Sequence, residues 1–205
     1  MKILYAHNAK VYLAARSEQK ATKAISSIES SSPKSKGELG FHHLDLDDLT
    51  SVKRSANSFL SKENKLDVLW NNAGVMVPPQ GSKTVQNYEA QLGTNCLGPF
   101  LFTKLLTPLL IQTARTAPKD SVRVVWLSSS AAETTAPKGG VVMNNLDYKK
   151  DASAWSKYGT SKAGNIFYSN EFAKRHRDDG VISVVCTTYS LLVDDTRLIK
   201  IARSH

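Results

Sequence analysis

Strand-like and helix-like segments alternate along almost the whole chain, and this pattern restricts it to the α/β class with a parallel sheet. Val11 to Ala15 is a short apolar run of the kind found in buried strands, preceded by a helix end over Lys2 to Ala6. Asn8 stands where that helix needs a left-handed residue to stop it. A helix is expected over residues 18 to 30, followed by a Ser/Lys-rich loop over 30 to 38 and a strand over Leu39 to Leu46. The next helix spans Asp48 to Leu60 with Thr50 near its start, and the next strand runs Leu66 to Trp70. Val85 to Ile111 reads as one long helix and Val122 to Leu127 as a strand rich in β-branched residues. A helix over 153 to 176 and a strand over Val181 to Cys186 complete the series. The 205 residues suit one domain, with no internal repeat and no linker.

Ligands of open α/β sheets bind beyond the carboxyl ends of the strands, so the residues just after each strand carry the functional signal. Arg16 follows the first strand. A carboxylate there would suit the ribose 2′-hydroxyl of NAD, whereas an arginine suits the 2′-phosphate of NADP. An ordinary surface arginine would look the same. Leu44-Asp45-Leu46 follows the second strand and Asn72-Ala73-Gly74 the third, where small residues let backbone approach a ribose closely. Ser128-Ser129-Ser130 closes the fourth strand, and Tyr158 and Lys162 stand four apart, on one face of the following helix. A phenol ordinarily ionises near pH 10. A neighbouring ammonium favours the phenolate, and a serine hydroxyl at the strand end can hold a substrate oxygen against the tyrosine.

Taken together, Asn71-Asn72-Ala73-Gly74, Asn95, Ser129, Tyr158 and Lys162 resemble the short-chain dehydrogenase/reductase family over residues 2 to about 186. Asn145-Leu-Asp-Tyr-Lys-Lys and Trp155-Ser-Lys-Tyr-Gly-Thr-Ser-Lys-Ala-Gly-Asn are similar to its retinol dehydrogenase-like and WW-domain-oxidoreductase-like branch. The resemblance implies a Rossmann-type, doubly wound parallel sheet. It implies hydride transfer between a nicotinamide cofactor, here NADP, and a ketone, aldehyde or alcohol.

Carried over by residue, Tyr158 is the proton donor or acceptor, and Lys162 lowers its pKa and holds the nicotinamide ribose. Ser129, with Ser128 and Ser130 as close alternatives, stabilises the substrate carbonyl, and Asn95 completes a proton relay through water. Asp45 contacts the adenine, and the backbone of Asn72, with the neighbouring Ala73, meets its ribose. Lys104 matches a basic position at the cofactor, a position that a solvated helix lysine fills equally well.

Two departures from the family pattern stand out. The strand and Gly-rich turn that open the family's fold precede the match, so the strands at 11–15 and 66–70 are expected to flank a gap unless they close on each other. After Cys186 the residues read Thr187-Thr188-Tyr189-Ser190, and 187–205 form a divergent tail in place of the last strand. The 205-residue chain is accordingly expected to fold marginally and to hold NADP weakly.

The remaining composition narrows the alternatives. The net charge of +9 invites a nucleic-acid or protein-interaction reading, but the 27 Lys and Arg are scattered, and a phosphate-rich cofactor accounts for them. Cys96 and Cys186 stand far apart, which fits a reducing, cytoplasmic setting, and the five His form no metal-binding pattern. Leu97 to Ile111, broken by Lys104 and two prolines, is too short for a membrane span. The partner expected is a small carbonyl or alcohol, with room for a homo-oligomer. A catalytically inactive remnant of such an enzyme is the second reading.

Overall fold

The first helix, α1 (Lys2–Ala6), ends as its sequence demands. Asn8 takes φ +66°, its N–H reaching Tyr5 O and that of Ala9 reaching Leu4 O, the paired bonds of a left-handed helix stop. This turn delivers β1 (Lys10–Ala15), in which Val11, Leu13 and Ala14 are almost completely buried. The computed structural model describes residues 1–188 and 199–203, and within them four more pieces of chain repeat the helix–strand alternation. They are α2 (Glu18–Ser31) and β2 (Glu38–His43), α3 (Leu49–Leu60) and β3 (Val68–Asn71), a long helical run and β4 (Arg123–Ser129), and α7 (Ala154–Arg175) with β5 (Ile182–Thr188). The short α6 (Ala131–Thr134) follows β4 directly.

Helix starts follow side-chain caps. Ser17 Oγ accepts the Lys20 N–H at 3.3 Å, Asp48 Oδ1 accepts that of Thr50 at 2.9 Å, and Ser153 Oγ accepts that of Ser156 at 3.1 Å. The sheet separates two apolar layers. Ala21 and Ile25 of α2 pack with Leu13 and Phe41 on one face. On the other, Phe59 of α3 and Phe102, Leu106 and Leu110 from the long helical run meet Leu69, Val124 and Trp126, with Tyr168 and Phe172 of α7 at the margin.

The long helical run begins later than its sequence suggests and is not uniform. Residues 85–89 are a turn, with Asn87 at φ +66° and Lys83 bridged to Glu89. Helix proper comprises α4 (Ala90–Leu92), a π-helical turn over Gly93–Leu97 and α5 (Gly98–Ala114). At 25 residues the run is long and apolar enough to cross a membrane, yet Phe102, Leu106 and Leu110 are fully buried against the sheet, the packing of a core helix.

The centre of the sheet departs most from expectation. Strand order is β2-β1-β6-β3-β4-β5, where β6 is Ile199–Arg203. Strands β1 to β5 are parallel to their strand neighbours, but β6 runs antiparallel to both β1 and β3. Ile199 lies opposite Ala14, and Arg203 opposite Lys10; on the other side Lys200 lies opposite Trp70. The strands at 10–15 and 68–71 therefore neither stand with open edges nor close on each other. Two buried strands cannot leave their ladder groups unpaired, and a five-residue segment with apolar-polar alternation at Ile199-Lys200-Ile201 supplies the pairs. The other residues of the divergent tail, Tyr189 to Leu198 with Ser204 and His205, lie outside the described residues.

Candidate active site

The sheet's carboxyl edge gathers the chemistry. β4 ends at Ser128 and Ser129, whose side chains alternate in direction as a strand requires. Ser128 is buried and donates its hydroxyl hydrogen to Lys162 O at 2.8 Å, so it fastens α7 to the sheet. Ser129 points the other way, where its Oγ accepts the Ala131 N–H at 3.3 Å and lies near enough to the Tyr158 hydroxyl to act on its pKa. The structure thus separates the two serines, and Ser129 is the one that meets the tyrosine. Ser130 is the N-cap residue of α6 and makes no side-chain cap bond.

Tyr158 and Lys162 stand one turn apart on α7, with the Lys162 Nζ 5.6 Å from the centre of the Tyr158 ring. Lys162 is only 7% exposed, and its ammonium donates to Leu127 O at 3.2 Å. Burial pushes the Lys162 ammonium below its usual range, and burial likewise pushes the Tyr158 phenol above 10, against a smaller opposing effect of the Ser129 hydrogen bond.

Glycines allow this packing. A Cβ at Gly159 would lie 2.4 Å from Thr135 Oγ1 and 2.6 Å from Ala131 O, so only glycine lets α7 lie this close to the end of β4 and α6. A Cβ at Gly74 would lie 2.7 Å from Asn95 Oδ1. The small residue after β3 thus serves Asn95.

Asn95 sits in the π-helical turn, a distortion that recurs at functional sites. Its Oδ1 accepts the Val75 N–H at 2.7 Å, and its Nδ2 donates to Val75 O and Ser161 Oγ, both at 2.9 Å. Ser161 in turn donates to Tyr158 O at 2.8 Å. Both amide hydrogens of Asn95 are taken by protein, so its side chain ties the turn after β3 to the helix carrying Tyr158. Neighbouring Cys96 is buried against Ser161 O, and burial pushes its thiol to about 12.

At the other end of the edge Arg16 and Asp45 follow β1 and β2, with Arg16 Nε 3.9 Å from Asp45 Oδ1. The Arg16 side chain is 58% exposed, so its guanidinium faces water and can take an anion. Asn72 and Ala73 lie between the two ends, partly buried after β3. Lys104 is not brought to this edge. It lines a groove of about 880 Å³ between α5 and α7, with Phe100, Tyr168 and Phe172.

At its two ends the site fits a dinucleotide. Arg16 offers a guanidinium for a phosphate, and the buried Lys162 ammonium has N–H donors beyond the one given to Leu127 O, for a ribose hydroxyl. The middle of the edge is built differently. Among the described residues no Gly-rich turn opens a helix between β1 and β3, where backbone donors would meet a pyrophosphate. That place holds β6, running in the opposite direction.

Sequence reasoning missed Ser161, although it lies inside the quoted Tyr158–Lys162 stretch. It also missed a polar cluster of Gln80, Gln91, Asp151 and Lys157 beside Tyr158. A lysine directly before the tyrosine and an aspartate six residues earlier were the available signals.

Comparison with known proteins agrees with this geometry. The family model for short chain dehydrogenases matches residues 1–198. A short-chain dehydrogenase/reductase of Phomopsis amygdali is 53% identical over 198 residues, 96% of this chain and 58% of the relative. One of Emericella nidulans is 54% identical over 177 residues, 86% of this chain and 56% of the relative. This chain thus spans little more than half the length of the curated relatives it matches. The crystal structure of an uncharacterised protein from Mycobacterium paratuberculosis superposes with a TM-score of 0.67 at 28% identity, covering 91% of this chain and 62% of that one. The chain belongs to the short-chain dehydrogenase/reductase family.

Proposed function

We propose that the protein is an NADP-dependent oxidoreductase that interconverts a small-molecule carbonyl and the corresponding alcohol. The observation that carries the reading is the meeting of Ser129, Tyr158 and Lys162 at the carboxyl edge, with the Lys162 Nζ 5.6 Å from the centre of the Tyr158 ring and the Ser129 hydroxyl beside that of Tyr158. A nicotinamide cofactor, when bound, supplies or accepts the hydride. In reduction, the Ser129 hydroxyl hydrogen-bonds the substrate oxygen while Tyr158 Oη gives its proton to that same oxygen. In oxidation, Tyr158 takes the alcohol proton. Lys162 holds the ribose hydroxyls beside the tyrosine, and its cation stabilises the phenolate formed when Tyr158 loses its proton. Asn95 and Ser161 keep the tyrosine in place. Asp45, Asn72 and Ala73 line the adenosine side, and Arg16 receives the 2′-phosphate.

The cofactor preference is tested by steady-state reduction of a panel of aldehydes and ketones with NADPH and NADH. NADPH should be preferred, and Arg16→Asp should narrow or reverse the preference, because it replaces a phosphate-binding cation with a repelling anion. Equal kcat/KM for both cofactors in the parent protein would remove Arg16 from the account.

A second reading, a family member without catalysis, draws on the middle of the site, where β6 stands in place of a pyrophosphate cradle. Fluorescence titration with NADPH separates the two. Saturable binding favours the enzyme, and no binding by a folded chain favours the inactive form.

A further inference from the structure

We propose that Asp151 is a positioning residue that, with Lys157 and Gln80, clamps the chain after β3 to the start of α7 and so holds the Tyr158 hydroxyl against Ser129. The proposal rests on the reading of Tyr158 as the reacting group, but not on turnover. Lys157 directly precedes Tyr158, and its side chain is only 6% exposed. Its ammonium donates to Asp151 Oδ1 at 2.6 Å and lies 5.1 Å from the centre of the Tyr148 ring. The second oxygen of Asp151 accepts from Gln80 Nε2 at 2.7 Å, and the same Nε2 also donates to Ala152 O at 3.1 Å. One carboxylate therefore joins the loop at residue 80, the segment entering α7, and the first turn of α7.

The surroundings show that this joint is held in place at a cost. Val77, a β-branched residue, stands at φ +47°, and Tyr148 at φ +51°, conformations that side-chain-bearing residues adopt only when neighbours impose them. Buried Gln91 imposes the first, accepting the Val77 N–H at 3.0 Å while donating to Ala154 O at 2.9 Å. The Tyr148 hydroxyl lies near Thr160 on α7, so contacts at 157 and 160 bracket Tyr158. Thr135 Oγ1, donating to Trp155 O at 3.0 Å, is a further tie on this turn. The only charged tie in this set is the one through Asp151. Removing it would leave a buried ammonium without its anion, which drives the first turn of α7 outward toward water.

The test is NMR of protein carrying ¹³Cζ-labelled tyrosine, without cofactor or substrate. Tyr158→Phe assigns the Tyr158 signal, and Ser129→Ala gives its position when the Ser129 hydrogen bond is lost. In Asp151→Asn and in Lys157→Met the signal should move at least half-way from the parent position to the Ser129→Ala position. Asp151→Glu should restore it. A role confined to stability would lower the melting temperature and leave the signal where it is in the parent. If Asp151→Asn does not fold, the double variant Asp151→Asn/Lys157→Met, which removes both charges, takes its place. A parent-like Tyr158 signal in the folded variants overturns the proposal. Because no cofactor takes part, that outcome is distinct from a failure of the enzymatic reading.

Discussion

Replacing Ile201 by proline should open the sheet at its centre and lower the melting temperature by roughly 6–12 °C. Ile201 stands opposite Tyr12 on one side and Leu69 on the other. Proline removes the N–H that one of those ladders uses, and its ring is tolerated in sheets essentially only at edges or bulges. A buried carbonyl left without its donor costs about 1–3 kcal/mol, and the ring's clash adds to that. For a chain of this size each 1 kcal/mol is about 2–4 °C, so a loss of about 3 kcal/mol gives the stated range. Ile201→Val keeps the N–H and should stay within a few degrees of the parent. A melt of Ile201→Pro that superposes on the parent's would mean that residues 199–203 do not hold the place between β1 and β3.

The second large effect is chemical. Tyr158→Phe should reduce turnover by about 10²–10⁴-fold, the usual worth of a positioned general acid or base. The fold should survive, because the ring is kept and α7 is anchored elsewhere, by Ser128 on Lys162 O and by Asn165 on Leu127 O. The melting temperature should therefore change little while kcat falls. Turnover by purified Tyr158→Phe within a few-fold of the parent would remove Tyr158 from the reaction.

Much of this was legible in the chain, for identifiable reasons. Buried parallel strands read as short β-branched or apolar runs, and so β1, β3, β4 and β5 were found within a few residues. Ser129, Tyr158 and Lys162 were legible because a strand-end serine and a period-four Tyr/Lys pair have one geometry in an α/β sheet. Other features depend on tertiary contacts that no periodicity records. The start of the long helix is set by the turn at Asn87, and its π-turn is packed around Gly93, where a Cβ would meet Thr84 Cγ2 at 2.2 Å.

Lys104, weighed equally as a cofactor residue and as a solvated helix lysine, lies in the α5–α7 groove. Nine residues of helix are about 900°, which puts it roughly on the opposite side from Asn95, facing the α5–α7 groove. The β6 strand was missed because Ile199 to Arg203 lies beyond the residues the family model matches and is too short to stand out alone. Its place was visible only as a gap between two strands that had to be filled.

The central claim is that hydride and proton pass to one carbonyl beside Ser129 and Tyr158. It is tested most directly with NADPH carrying deuterium at the transferable position, incubated with the protein and a panel of aldehydes and ketones, with mass spectrometry of the alcohols formed. The account predicts one deuterium on the former carbonyl carbon with the parent protein. With Tyr158→Phe, deuterium transfer should be at least 10²-fold slower, although NADPH binding by fluorescence is unchanged. Equal deuterium transfer by the two proteins, or no transfer to any carbonyl by parent protein saturated with NADPH, would contradict it.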